Sequence, residues 1–213
     1  RRAGRVSSES TDATAGGREV DALIAVQRVL ADRPGVLPAA RGLSHLGEHA
    51  LGWIAAAGVG YVAATVRGDA DARIRWAQAG IGAVGAHAAS IAVKRVVRRR
   101  RPHDPRIRVG VGTPSRLSFP SSHATSTTAA AILLGRASGL PAGALPAVLV
   151  PPMLTSRLVL GVHYPSDVAT GALLGAVCAA AVTRDDRLTA RAIAWSDAAG
   201  RAVRGRVPSR GER

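Results

Sequence analysis

The chain has 213 residues and a formal charge of +15, carried by 28 arginines and one lysine, Lys94. Hydrophobic residues make up 47% of it and aromatics only 3%. Nucleic-acid binding, an anionic membrane surface or a phosphate-bearing substrate could each account for the charge, but the basic residues gather between apolar runs, which argues against a nucleic-acid binder with aromatic stacking surfaces and favours a membrane. A single cysteine, Cys178, rules out an intramolecular disulfide and reads as a small packing residue.

Residues 1–17 are polar and rich in Gly and Ser, which predicts a disordered tail with no secretory signal. Residues 18–33 carry Val20, Leu23, Ile24 and Leu30 at helical spacing, with Asp21, Arg28 and Asp32 opposite. Too short and charged to cross a bilayer, this stretch predicts an interfacial helix, ended by Pro34, within a segment 18–48.

Five apolar runs follow, at 49–66, 77–93, 123–135, 140–160 and 167–183. Each is close to the ~17–25 residues that a crossing needs, so the reading is all-α: a polytopic membrane bundle of about five spans over 49–183. The GALLG of Gly171 to Gly175 lets helices approach closely, and Pro141, Pro146, Pro151 and Pro152 are expected to kink the fourth run. The last segment, 184–213, joins an amphipathic stretch around Leu188, Ile193 and Trp195 to a basic tail, suiting lipid or a second copy of the chain. A soluble Ala-rich bundle is the alternative, but five such runs are hard to pack in water.

Three polar clusters lie at the ends of these runs: KRVVRRRRP (94–102), FPSSH (119–123) and SRLVLGVHYPSD (156–167). Alternating passes place all three on one face. Lys94 and Arg101 are two turns apart and share a direction if their helix continues, whereas Arg98, Arg99 and Arg100 read as a solvated, topology-setting loop. Ser121 is placed as the N-cap of a helix whose free N–H groups suit phosphate, with His123 in its first turn. Arg157 can grip two phosphate oxygens at once. Pro165 opens the fifth span, and Asp167, four residues after His163, can hold one imidazole nitrogen and aim the other.

K-x6-R-P, P-S-x-H and S-R-x5-H-x3-D, in that order, resemble the three signature motifs of the type 2 phosphatidic acid phosphatase (PAP2) superfamily. The resemblance covers about residues 49–183. It implies a membrane lipid phosphatase in which His163 attacks phosphorus, Asp167 orients His163, and His123 protonates the leaving alcohol and then activates water. It further implies that Lys94, Arg101, Arg157, Ser121 and Ser122 hold the phosphate, with no metal or other cofactor. The substrate class is a phosphate monoester or diphosphate of a polyprenyl-linked or glycerol lipid. The Arg- and Ala-rich sequence around SFPSSHATSTTAAA resembles an actinobacterial branch acting on a polyprenyl-linked phosphosugar for cell-wall synthesis. Two departures stand out: Ser122 replaces the usual Gly before His123, and the family often has six spans. A non-catalytic lipid-binding scaffold and a soluble, vanadate-binding relative are the other readings.

With five spans, the N-terminus and the active face share a side. Basic residues number 7 in 1–48 and 9 in 94–116, against 3 in 67–76 and 8 in 184–213. This balance predicts a plasma-membrane protein with a cytoplasmic active face.

Overall fold

A computed structural model describes residues 3–184 and 186–204. They form eight α-helices: α1 (Ala3–Leu30), α2 (Val36–Leu46), α3 (Leu51–Val66), α4 (Ala70–Val97), α5 (Ser122–Ala137), α6 (Ala144–Val159), α7 (Pro165–Thr183) and α8 (Asp186–Arg204). A short 3-10 turn, Glu48–Ala50, joins α2 to α3. The fold is all-α, as the periodicity requires.

Helix α5 is the axis of the bundle, packed between α4, α6 and α7. Its small side chains suit that place: Ala124, Ala129, Ala130 and Ala131 are fully buried, and so are Thr125, Ser126 and Thr127. Helix α7 meets it through the glycines of GALLG. A Cβ on Gly171 would stand 2.7 Å from the Ser121 carbonyl oxygen, and one on Gly175 would stand 2.3 Å from that of Thr125. Only glycine allows two backbones that close.

The outer faces are apolar. Val59, Val62, Val66, Ile81, Val84, Val148, Leu173 and Val177 are at least half exposed. Among the described residues, two helical stretches have the length and apolarity to cross a membrane, Glu48–Val66 and Pro165–Thr183, and Ala144–Val159 is apolar but shorter. Two of the five expected spans therefore qualify on length and composition. Pro151 and Pro152 lie inside α6.

The N-terminal stretch differs from expectation. Helix α1 begins at Ala3, so the polar stretch expected to be disordered is continuous with the amphipathic one. Nor does α1 simply lie on a surface. Leu23 and Ile24 are buried against Ile107, and the Gln27 side-chain amide donates to the Arg108 and Val159 carbonyls at 2.7 and 2.9 Å while accepting from the Arg108 N–H. An amide with donors and an acceptor can fasten two chain segments at once. Gln27 thus ties the 98–121 loop to the end of α6.

The helix expected to carry both Lys94 and Arg101 stops at Val97, with Arg98 in the left-handed conformation (φ 56°). The chain then runs extended: Arg100 bridges Leu117, and the Ser118 N–H donates to the Arg99 carbonyl at 2.8 Å. Alternate side chains of an extended segment share a face. Arg99 and Arg101 therefore turn inward together, while Arg98 and Arg100 are exposed.

Candidate active site

The ends of α4, α5 and α6 and the start of α7 enclose a cavity of about 580 Å³. Lys94, Arg101, Ser122, His123, Arg157 and His163 all line it. Three motifs separated by up to some 70 residues thus meet at one end of the bundle, as alternating passes require.

His163 is 3% exposed. Arg101 Nη1 donates to its Nε2 at 3.1 Å and to the Val162 carbonyl at 2.7 Å. A guanidinium can only donate, so Nε2 holds a lone pair and the ring proton sits on Nδ1. That nitrogen faces Asp167 Oδ2 at 3.5 Å, too long for a well-formed hydrogen bond but well placed for charge attraction. Burial, reinforced by Arg101, outweighs Asp167 and lowers the His163 pKa to about 4. The imidazole is therefore neutral near pH 7 and offers its lone pair. Burial also lowers Arg101, to about 10, which leaves it cationic at that pH.

Asp167 is fully buried with both oxygens engaged. Oδ2 accepts from the Tyr164 N–H at 2.8 Å at the first turn of α7. Oδ1 accepts from Arg99 Nη1 at 2.9 Å. Arg99 is the residue that sequence reasoning placed wrongly, in a solvated loop. It also donates to Ser166 Oγ at 2.7 Å, pairs with Glu19 of α1 and stacks over the Tyr164 ring at 4.0 Å. Glu19 in turn accepts from the Ser166 N–H at 2.9 Å. Burial opposes the charge of Glu19, but hydrogen bonds from Ser166 and Arg99 hold its pKa below the ordinary value.

Arg157 is 2% exposed. Its Nε reaches Ser156 Oγ, its Nη1 reaches Ser44 Oγ (both 3.1 Å), and its Nη2 is buried without a partner. A buried guanidinium nitrogen left unpaired is costly unless a ligand completes it. Lys94 is pinned by the carbonyls of Ser118 and Pro120, which lock the first motif onto the second.

His123 Nε2 lies 3.0 Å from the Ser44 carbonyl. A carbonyl can only accept, so Nε2 carries the proton and Nδ1 is the free nitrogen. Ser44, on α2, therefore touches both His123 and Arg157. Sequence reasoning missed it because nothing local marks a serine in a short helix as part of a distant site.

Two serines behave differently from each other. Ser122 lines the cavity, its hydroxyl donating to Ser90 Oγ at 2.7 Å because the Ser90 proton goes to the His87 carbonyl. Ser121 is the N-cap of α5, as expected, its Oγ accepting from the Ala124 N–H at 3.4 Å. It is fully buried and does not line the cavity.

Fixed cations beside a neutral, carboxylate-backed imidazole suit a phosphate dianion and a nitrogen nucleophile, the chemistry expected of a phosphoric monoester hydrolase. The chain belongs to the PAP2 superfamily, whose match covers residues 76–189. A relative from Mycobacterium tuberculosis, decaprenylphosphoryl-5-phosphoribose phosphatase, is 58% identical over 164 residues, 77% of this chain and 88% of the relative. One from Mycolicibacterium smegmatis, with the same name, is 61% identical over 149 residues, 70% of this chain and 78% of the relative. No solved structure matches the chain.

Proposed function

We propose that this chain is a membrane phosphatase that removes the 5-phosphate of a polyprenylphosphoryl phosphoribose, of the kind named in its mycobacterial relatives. The observation that carries the mechanism is His163, neutral and buried, with Nε2 facing the cationic cavity and Nδ1 facing Asp167.

As Arg101 turns from His163 Nε2 to the phosphate oxygens, that nitrogen attacks phosphorus, and the bond from phosphorus to the sugar oxygen breaks. The departing oxygen takes its proton from Nδ1 of His123, which enters the step as an imidazolium, protonated on Nδ1 as well as Nε2 once the phosphate dianion occupies the cavity. The ring of the resulting phosphohistidine is positive, and Asp167 stabilises it. Water then loses a proton to His123 and attacks phosphorus; the N–P bond breaks, inorganic phosphate leaves and both histidines are restored. Lys94, Arg101 and Arg157 neutralise the oxygens as charge moves onto them, with the Ser122 and His123 N–H groups at the start of α5. The Ser121 hydroxyl acts through its cap, shaping that helix start.

The membrane placement has five spans, with α1 and α2 at the active face and α8 at the other. The basic balance supports a cytoplasmic active face in the plasma membrane. A sugar phosphate lipid presented from the cytoplasmic leaflet would reach the cavity directly.

The test is phosphate release in detergent from polyprenylphosphoryl-5-phosphoribose, polyprenyl diphosphate, phosphatidate and phosphatidylglycerophosphate. The phosphoribose lipid is expected to give the highest kcat/KM. His163→Ala should lose about 10³-fold or more in kcat, and no acid-labile phosphoprotein should be trapped. Equal turnover of all four lipids overturns the substrate; full activity of the variant overturns the nucleophile.

A further inference from the structure

The cavity has far more room than one phosphate needs, and its polar groups segregate. Lys94, Arg101 and Arg157 surround His163. A second stretch of wall is built by Glu48, His49 and His87, with His45 3.8 Å from Glu48; Ile91, Arg95 and the loop from Val111 to Leu117 also line the cavity. His87 lies seven residues before Lys94 on α4, two turns or about 10 Å further along. The His49 ring stands 5.9 Å from that of His87, centroid to centroid. Gly47, immediately before Glu48, lies against the other key histidine: a Cβ there would stand 2.8 Å from His123 Cδ2. The wall thus adjoins the group assigned to protonate the leaving oxygen, where the alcohol half of any substrate must lie.

Two further observations mark it as built for a ligand. His87 lines the cavity and its Nδ1 is buried without a hydrogen-bond partner, a cost that turning the ring to bring this nitrogen onto a ligand hydroxyl would relieve. His49 is held at φ 50° and Ala50 at φ 60°, left-handed conformations unfavourable to side chains with a Cβ. Such strain persists where the surroundings impose it and gathers at ligand-holding residues. The chemistry of the wall also selects its occupant. Glu48 repels a second phosphate, and two imidazoles with one carboxylate offer the mixed donors and acceptors that hydroxyls require.

We propose that Glu48, His49 and His87 form a sugar-hydroxyl subsite that favours phosphate carried on a sugar over phosphate carried on a plain lipid alcohol. This rests on the phosphoribose reading above and adds the residues that enforce it.

The experiment compares kcat/KM for a short-chain polyprenylphosphoryl-5-phosphoribose, its 2-deoxyribose analogue and a polyprenyl monophosphate of equal chain length. It uses wild type, His87→Phe, His87→Gln and Glu48→Gln. The ratio of the sugar substrate to the monophosphate should fall about tenfold in His87→Phe and Glu48→Gln and recover largely in His87→Gln. The deoxy analogue should cost the wild type a similar factor and cost His87→Phe nothing further. A wild type with no preference for the sugar substrate overturns the phosphoribose reading and the subsite with it. A wild-type preference that His87→Phe and Glu48→Gln both retain overturns the subsite alone. Should His87→Phe not fold, Glu48→Gln, altering an exposed side chain, decides by the same ratio.

Discussion

Arg99 shows how much one side chain can organise without touching substrate. It holds Asp167 Oδ1 and leaves Oδ2 to face His163, so its loss would leave the carboxylate held at Oδ2 alone, by the Tyr164 N–H. Arg99→Gln should lower kcat by roughly 10–100-fold with little change in KM, and Arg99→Lys should recover part of the loss. NMR titration of labelled histidine checks the same chain of contacts. His163 should titrate near 4 rather than at its ordinary 6.5. Asp167 raises that value, so Asp167→Asn should lower it further. The sign for stability follows: between 6.5 and about 4 the unfolded chain takes up a proton that the folded one refuses, so stability falls as pH drops through that window. His163, Asp167, Arg101 and His123 were legible because their spacing is itself the signal. Arg99 was not: four consecutive arginines look alike until the backbone after Val97 becomes extended and turns alternate members inward.

At the scale of elements, the contact between α5 and α7 decides how well the two histidine-bearing segments are registered. Helix α5 starts at the His123 turn and α7 at the His163 loop, and Gly171 and Gly175 set the gap between them. Gly175→Ala forces a Cβ onto the Thr125 carbonyl and should cost about 1–3 kcal/mol by overpacking. A lowered thermal midpoint in detergent would report it, with activity falling at temperatures where the wild type is intact. This contact was readable from GALLG alone, because small residues four apart fall on one helix face. The role of α2 was not readable. Its sequence, VLPAARGLSHL, has the amphipathic pattern of a surface helix, and only folding reveals that Ser44 joins His123 to Arg157.

The whole molecule separates its chemistry from its apolar wall. The motif residues gather at one end of the helices, and exposed Val, Ile and Leu line the sides. Single cysteines placed in the 103–115 loop of a Cys178→Ala background should therefore react with a membrane-impermeant thiol reagent from the same side as one another. With the proposed orientation, labelling requires opened cells or inverted vesicles; labelling of intact spheroplasts would reverse the orientation. The apolar runs were legible as helices throughout. Their number as crossings was less so, because α4 carries charges near both ends and α5 is only 16 residues of small, partly polar side chains.

Gln27 and its neighbours on α1 and α2 extend the working unit beyond the stretch that the family match covers. The family match starts at residue 76, yet Glu19 steadies Arg99, Gln27 fastens the loop that carries Arg101, and Ser44 sets the tautomer of His123. These contacts reach across 79 to 132 positions of sequence. The working unit is therefore longer than the stretch by which the family is recognised. Residues from Glu19 to Ser44 brace the motif side chains, and a fragment cut at the family boundary keeps every motif while losing what holds them in aim.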